Sequence, residues 1–302
     1  MNDLTPRKLS GTLLERAAAL YPLAAPPLAA PAPVADLIPP RVAAPKVEHV
    51  APVASSRPVA RIDRDMLTET GMIVPGQAVT PLAEEFRLVK RQLLITARAV
   101  ASKSIDRART LLVSSAHAGD GKTFCAINLA ISLSAERDVE VLLVDADFAQ
   151  PDVLDRLGLE DGPGLLDALT DRSIDPETLV IPTDIPQLSL LPAGTRTVSD
   201  TELLASERAI EVLMRLVSAN PNRIVIFDSP PALAASPASV LAELVGQTML
   251  VVRADRTSEG DLRKAVALLD ACDELHLVLN SVSLQPGKGR RFGSYYQQET
   301  AA

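Results

Sequence analysis

Six aliphatic runs set the first constraint on this chain: "TLLVSSA" (110–116), "VEVLLVDAD" (139–147), "QLSLLPAG" (187–194), "RIVIFDSPP" (223–231), "QTMLVVRAD" (247–255) and "LHLVLNSV" (275–282). None alternates apolar with polar residues, so each strand must be covered on both faces, as in a parallel sheet flanked by helices. The segments between them, such as "DTELLASERAIEVLMRLVSA" and "TSEGDLRKAVALLDAC", carry apolar residues at helical spacing. The fold class this predicts is doubly wound α/β with a mainly parallel sheet. In such sheets ligands lie beyond the carboxyl ends of the strands, which is where chemistry should be sought.

Directly after the first run stands "AHAGDGKT" (116–123), which fits A-x-x-x-x-G-K-T between a strand and a helix. Gly119 and Gly121 allow backbone N–H groups to turn around phosphates, Lys122 reaches the β and γ phosphates, and Thr123 suits Mg²⁺. Ala116 is acceptable at the first position because a small residue suffices there. The expected nucleotide-binding segment is Gly119, Asp120, Gly121, Lys122, Thr123 and Phe124. Asp145 and Asp147 end the second run and Asp228 ends the fourth, so all three open onto the same crevice. Strand-end aspartates also serve as caps, and either run alone would be ambiguous. Together with Lys122 they define an expected catalytic set of Lys122, Asp145, Asp147 and Asp228, with Thr123, Asp147 and Asp228 as metal ligands and ATP with Mg²⁺ as cofactors.

The flanks differ in composition. Residues 1–60 are rich in Ala and Pro; the Pro22–Pro58 stretch is an extended tether, because proline cannot support a helix or a central strand. The uncharged stretch 17–35 contains five prolines, which argues against a membrane-spanning helix. Residues 61–108 form a helical lead-in, in which Thr80 and Pro81 start a helix with Leu82, Phe86, Val89, Leu93 and Leu94 on one face. Residues 109–284 form the nucleotide-binding domain, and 285–302 a polar, glycine-containing tail expected to be mobile. A net charge of −8 argues against general nucleic-acid binding, and two cysteines exclude a disulfide framework, which fits a reducing cytoplasm.

The trio "AHAGDGKT", "VLLVDADF" and "IVIFDSPP" resembles the Walker A, A′ and B motifs of the bacterial tyrosine kinases, P-loop NTPases of the MinD/ParA-like superfamily. The similarity runs from about 61 to 296 and includes "GLLDAL" and "LVLNSV"; "RDMLTETGMIVP" and "PLAEEFRLVKRQLL" resemble the subgroup linked to exosortase exopolysaccharide loci. The resemblance implies an autokinase that regulates exopolysaccharide polymerisation or export, with Asp145 as base and Asn280 near the adenine. It also implies a homo-oligomer, such as a ring, through Glu84, Arg87 and Lys90, where lysine replaces the family's last arginine. The acceptors it implies are the tail tyrosines Tyr295 and Tyr296, phosphorylated in trans. It places the chain in the cytoplasm, held at the inner membrane by a membrane-embedded activator.

Two departures keep other readings open. Ala149 stands where the family's D-x-D-x-R pattern has arginine, and the tyrosine cluster is short, so a nucleotide-binding scaffold of weak activity is one alternative. The other is a MinD/ParA-type ATPase switch, but that class carries a lysine where this loop has His117, which reads as a solvated turn residue.

Overall fold

In the computed structural model, residues 57–196 and 200–282 are described. The tether before residue 57 and the tail with Tyr295 and Tyr296 lie outside them. The seven strands of the sheet are β1 (Thr110–Ser115), β2 (Glu140–Asp145), β3 (Ile181–Pro182), β4 (Leu188–Leu191), β5 (Arg223–Asp228), β6 (Gln247–Arg253) and β7 (Leu275–Asn280). Their order is β3-β4-β2-β5-β1-β6-β7. Every neighbouring pair is parallel except β3 with β4. The two-residue β3, half of it proline, was not expected; it is too short to show a period.

The aliphatic strands divide their side chains between two cores, except β7: its run was expected to be covered on both faces, but it ends the sheet and leaves Leu277 and Leu279 exposed. Leu112, Leu142, Val144, Val225, Phe227 and Leu250 face one side, and Leu111, Val113, Val141, Leu143, Ile226, Met249 and Val251 face the other. The second side is covered by α1 (Arg64–Glu69), α2 (Pro81–Ala101), α3 (Lys122–Ser134) and α4 (Val153–Arg156). The first is covered by α5 (Leu165–Thr170), α6 (Asp200–Leu204), α7 (Glu207–Ser218), α8 (Pro237–Leu244) and α9 (Glu259–Leu268). Each buried leucine contributes roughly 1.5–3 kcal/mol of transfer free energy, so both faces need their helices.

Helix starts follow the sequence signals. Thr80 caps α2 by accepting from the Ala83 N–H at 3.2 Å, and Phe86 and Leu93 bury against the α3 side of the sheet. The lead-in therefore shares its core with the phosphate-loop helix. The run of helical spacing over 200–219 forms two helices, because Ser206 is extended and caps α7 by accepting from the Ala209 N–H at 3.4 Å. The chain pairs with the sheet edge already at Ala60, whose N–H donates to Pro182 O at 2.8 Å.

Candidate functional site

β1 lies between β5 and β6, so the loop after it emerges where the chain's strand order reverses. Gly119 and Gly121 both have positive φ, +78° and +98°, which turns the chain sharply into α3. A Cβ at Gly121 would also stand 2.1 Å from Asn280 Nδ2, so any side chain there would be strained at this φ and would displace the Asn280 amide. A cavity of about 660 Å³ opens over this loop; Gly119, Gly121, Lys122, Thr123, Phe124, Asp147 and Asn280 all line it, together with Arg156 and Arg253. That volume is in the range of small-molecule sites.

The carboxylates occupy two levels. Asp147 lines the cavity, and its Oδ2 sits 2.8 Å from Lys122 Nζ. Asp145 and Asp228 lie behind it as register partners on adjacent strands, both essentially buried. Asp145 is committed as a backbone anchor: it accepts N–H groups from Asp147 at 3.2 Å and from Asp152 and Val153 at 3.0 Å, which starts α4. Burial, then the neighbouring Asp228, pushes its carboxyl up to about 7 against the pull of those three donors.

Asp228 differs. Neither of its buried oxygens has a hydrogen-bond partner, and Lys122 Nζ is 4.0 Å away. Burial raises its carboxyl to about 6, opposed by Lys122 and by the nearby Thr123 hydroxyl, which is close enough to act electrostatically without a well-formed hydrogen bond. Lys122 is the counterpart: burial works against its charge, but Asp228, Asp147 and Asp145 together hold it above the ordinary ammonium range. By contrast, the buried Arg223 at the amino end of β5 is fully paired, with Glu140 at 2.6 Å and Glu177 at 2.5 Å. An orphaned carboxylate beside a hydroxyl and a phosphate loop is a hard-oxygen donor set that suits Mg²⁺, which takes one or two carboxylates plus phosphate oxygens. Among the described residues no group of three or more His, Cys, Asp or Glu could hold a metal ion by itself.

The structure gives several predicted residues another place. Asp120 is buried under the loop, accepting the His117 N–H at 2.9 Å. His117 is not merely a solvated turn residue, because its Nε2 lies 3.3 Å from Asp261 Oδ2 at the start of α9. Asn280 donates to Asp120 O at 2.9 Å. Of the α2 trio, Glu84 and Arg87 pair with each other, while Lys90 is buried, donating to Ser132 O at 2.9 Å and pairing with Glu136 at 2.7 Å. Its ammonium is thus occupied within its own fold. Arg156 and Arg253 were missed; guanidinium groups reach the cavity although position 149 is alanine. Arg253 ends a strand, and that position was the available signal.

Fold and site define a P-loop NTPase, and a family profile described as "ParA: NUBPL iron-transfer P-loop NTPase" matches residues 106–282. Within that class, the chain is 31% identical over 195 residues to the tyrosine-protein kinase YwqD of Bacillus subtilis, spanning 64% of this chain and 80% of that protein. It is 34% identical over 183 residues to the putative tyrosine-protein kinase EpsB of Ralstonia nicotianae, across 59% of this chain but only 24% of EpsB, which is much longer. The solved BceF tyrosine kinase domain superposes with a TM-score of 0.55 at 28% identity, covering 65% of this chain and 76% of that domain. The chain belongs to the bacterial tyrosine kinase family, a nucleotide-binding family of P-loop enzymes.

Proposed function

We propose that this chain transfers the terminal phosphoryl group of ATP to tyrosine hydroxyls on the tail of a second copy, and that this reaction regulates an exopolysaccharide export assembly. The observation that carries the reading is the cavity in which Lys122, Thr123 and Asp147 meet over a loop turned by two positive-φ glycines, with Asp228 behind them, its oxygens without a hydrogen-bond partner. Lys122 and the loop amides hold the phosphates in a largely dissociative transfer, where positioning and charge neutralisation supply most of the rate. Thr123, Asp147 and Asp228 are the residues that would hold Mg²⁺, which neutralises phosphate charge when bound. A phenol is mostly protonated at neutral pH, so a proton acceptor is needed. Asp147 faces the cavity while Asp145 serves three backbone donors, so Asp147 fits that role better, which leaves Thr123 and Asp228 to hold the metal while it takes the proton.

Tyr295 and Tyr296 are the proposed acceptors, on a tail that also carries Lys288, Arg290 and Arg291. Each phosphate adds about −1.5 to −2 charges, enough to repel the tail from a neighbour's acidic site and loosen an oligomer. Arg87, exposed on α2, and the half-buried Glu84 remain the residues proposed to meet a neighbouring subunit. No helix among the described residues is long and apolar enough to cross a membrane; a membrane-embedded activator and membership of the exosortase-linked subgroup belong to this proposal.

Incubating the chain with ATP and Mg²⁺ should produce phosphotyrosine detectable by immunoblot. Changing both Tyr295 and Tyr296 to Phe should remove more than about nine-tenths of it, since a phenylalanine ring has no hydroxyl to accept a phosphate. Label persisting elsewhere would refute the acceptor assignment. Mixing a Lys122→Ala chain with a Tyr295→Phe/Tyr296→Phe chain tests transfer in trans: label should appear on the former.

A further inference from the structure

β6 and β7 run in parallel register so that Arg253 and Asn280 are direct partners at their carboxyl ends. Both side chains turn onto the phosphate loop, and they take consecutive carbonyls. Arg253 Nη1 donates to Gly119 O at 2.7 Å, and Asn280 Nδ2 donates to Asp120 O at 2.9 Å. The Asn280 amide is itself oriented, because its Oδ1 accepts the Ser281 N–H at 2.8 Å. The segment after Arg253 closes around the same loop: the Arg253 N–H donates to Thr257 Oγ1 at 3.1 Å, and that hydroxyl donates to Asp120 Oδ2 at 3.4 Å.

A trans peptide points its C=O and its N–H in opposite directions. Holding Asp120 O therefore fixes the direction of the Gly121 N–H, which belongs to the same peptide plane. The preceding plane is pinned at both ends, since the Asp120 N–H donates to His117 O at 3.4 Å. With positive φ at Gly119 and Gly121, these peptides have many alternative orientations, and an unclamped loop would lose them only on binding phosphate.

We propose that Arg253 and Asn280 are positioning residues for phosphate binding: paired across β6 and β7, they hold the Gly119 and Asp120 carbonyls and so preset the loop before nucleotide arrives. On this account Asn280 governs affinity for the phosphates, whatever base the nucleotide carries. The inference rests on the phosphate-binding reading of the loop.

The test compares ATP with inorganic tripolyphosphate, which has no base or ribose, each with Mg²⁺, by titration calorimetry on the full chain. Asn280→Leu should weaken both ligands by the same factor, about tenfold, the order of one hydrogen bond and the loop ordering it replaces. Arg253→Ala should do likewise, with most of the loss restored in Arg253→Lys, which keeps a charged donor. In the absence of ligand, amide hydrogen exchange across 117–122 should be several-fold faster in Asn280→Leu and Arg253→Ala than in wild type, with melting temperatures reporting that the fold persists. Weaker ATP with unchanged tripolyphosphate would show a contact to the base or ribose and overturn the clamp; so would loop exchange that does not change. Wild-type protein that binds neither ligand would instead refute the phosphate-loop reading, while the exchange measurement still judges the clamp.

Discussion

Replacing Lys122 by methionine should abolish phosphotyrosine formation, by about 10³-fold or more, and should also destabilise the protein, whereas Lys122→Arg should lose the transfer and keep the stability. The two losses have different origins. Transfer needs an ammonium at the β and γ phosphates; removing a preorganised charge-stabilising group typically costs 10²–10³ in rate, and here affinity falls as well. Stability depends on charge balance beneath the cavity. Lys122 is nearly buried, 2.8 Å from Asp147 and 4.0 Å from Asp228, and those carboxylates hold its ammonium charged despite desolvation. Deleting the cation leaves buried carboxylates uncompensated, which costs roughly 3–5 kcal/mol. Arginine keeps the charge, but its planar fork cannot occupy a compact ammonium's place in the loop. Single-turnover phosphotyrosine assays and thermal melts at pH 8 would read the two effects. A methionine variant that melts like wild type would show that the carboxylates do not depend on Lys122.

Much of this arrangement was legible in the sequence because it is local. Continuous aliphatic runs state that strands are covered twice, and in β1 Leu112 does face one core while Leu111 and Val113 face the other; the edge strand β7 departs from this, with Leu277 and Leu279 exposed. The glycines at 119 and 121, Thr80 as a cap, and aspartates at strand ends carry their meaning within a few residues. What stayed hidden depends on strand order. Asp145 and Asp228 are 83 positions apart and become register partners only because β5 inserts between β1 and β2. That adjacency turns two plausible metal or acid–base groups into an anchor and an orphan. Asn280 and Arg253 meet the loop for the same reason, across separations no spacing rule covers. Lys90 shows the reverse case: its place in a motif suggested an outward role, and packing against α3 turned it inward.

Asp228→Asn should make the nucleotide-free protein more stable at pH 8 while removing most of its activity. The fold holds this carboxyl at about 6, up from 3.8, because burial disfavours its charge. A carboxyl raised in the folded state binds its proton more tightly there than in the unfolded chain. Its contribution to stability is complete below about pH 4 and is lost as pH rises through about 6; Asp145, raised to about 7, extends that window upward. These two carboxyls should therefore lower the wild-type melting temperature between about pH 4 and pH 7, with the decline levelling off above. At pH 8 the ionised Asp228 costs on the order of 2–3 kcal/mol, from its displacement of roughly two pH units. Asparagine avoids that cost and should flatten the slope, with Asp145 supplying what remains. The same substitution removes the orphaned negative charge that makes the pocket fit Mg²⁺, so phosphotyrosine formation should drop by about 10²-fold or more. Wild-type kcat/KM for ATP, which reports the free enzyme, should fall on the acid side as Asp228 is protonated near pH 6, a limb that stability alone would not produce because the fold strengthens in that range. An asparagine variant no more stable than wild type at pH 8 would mean that Lys122 already compensates Asp228 fully, and that its charge is not held in reserve for a cation.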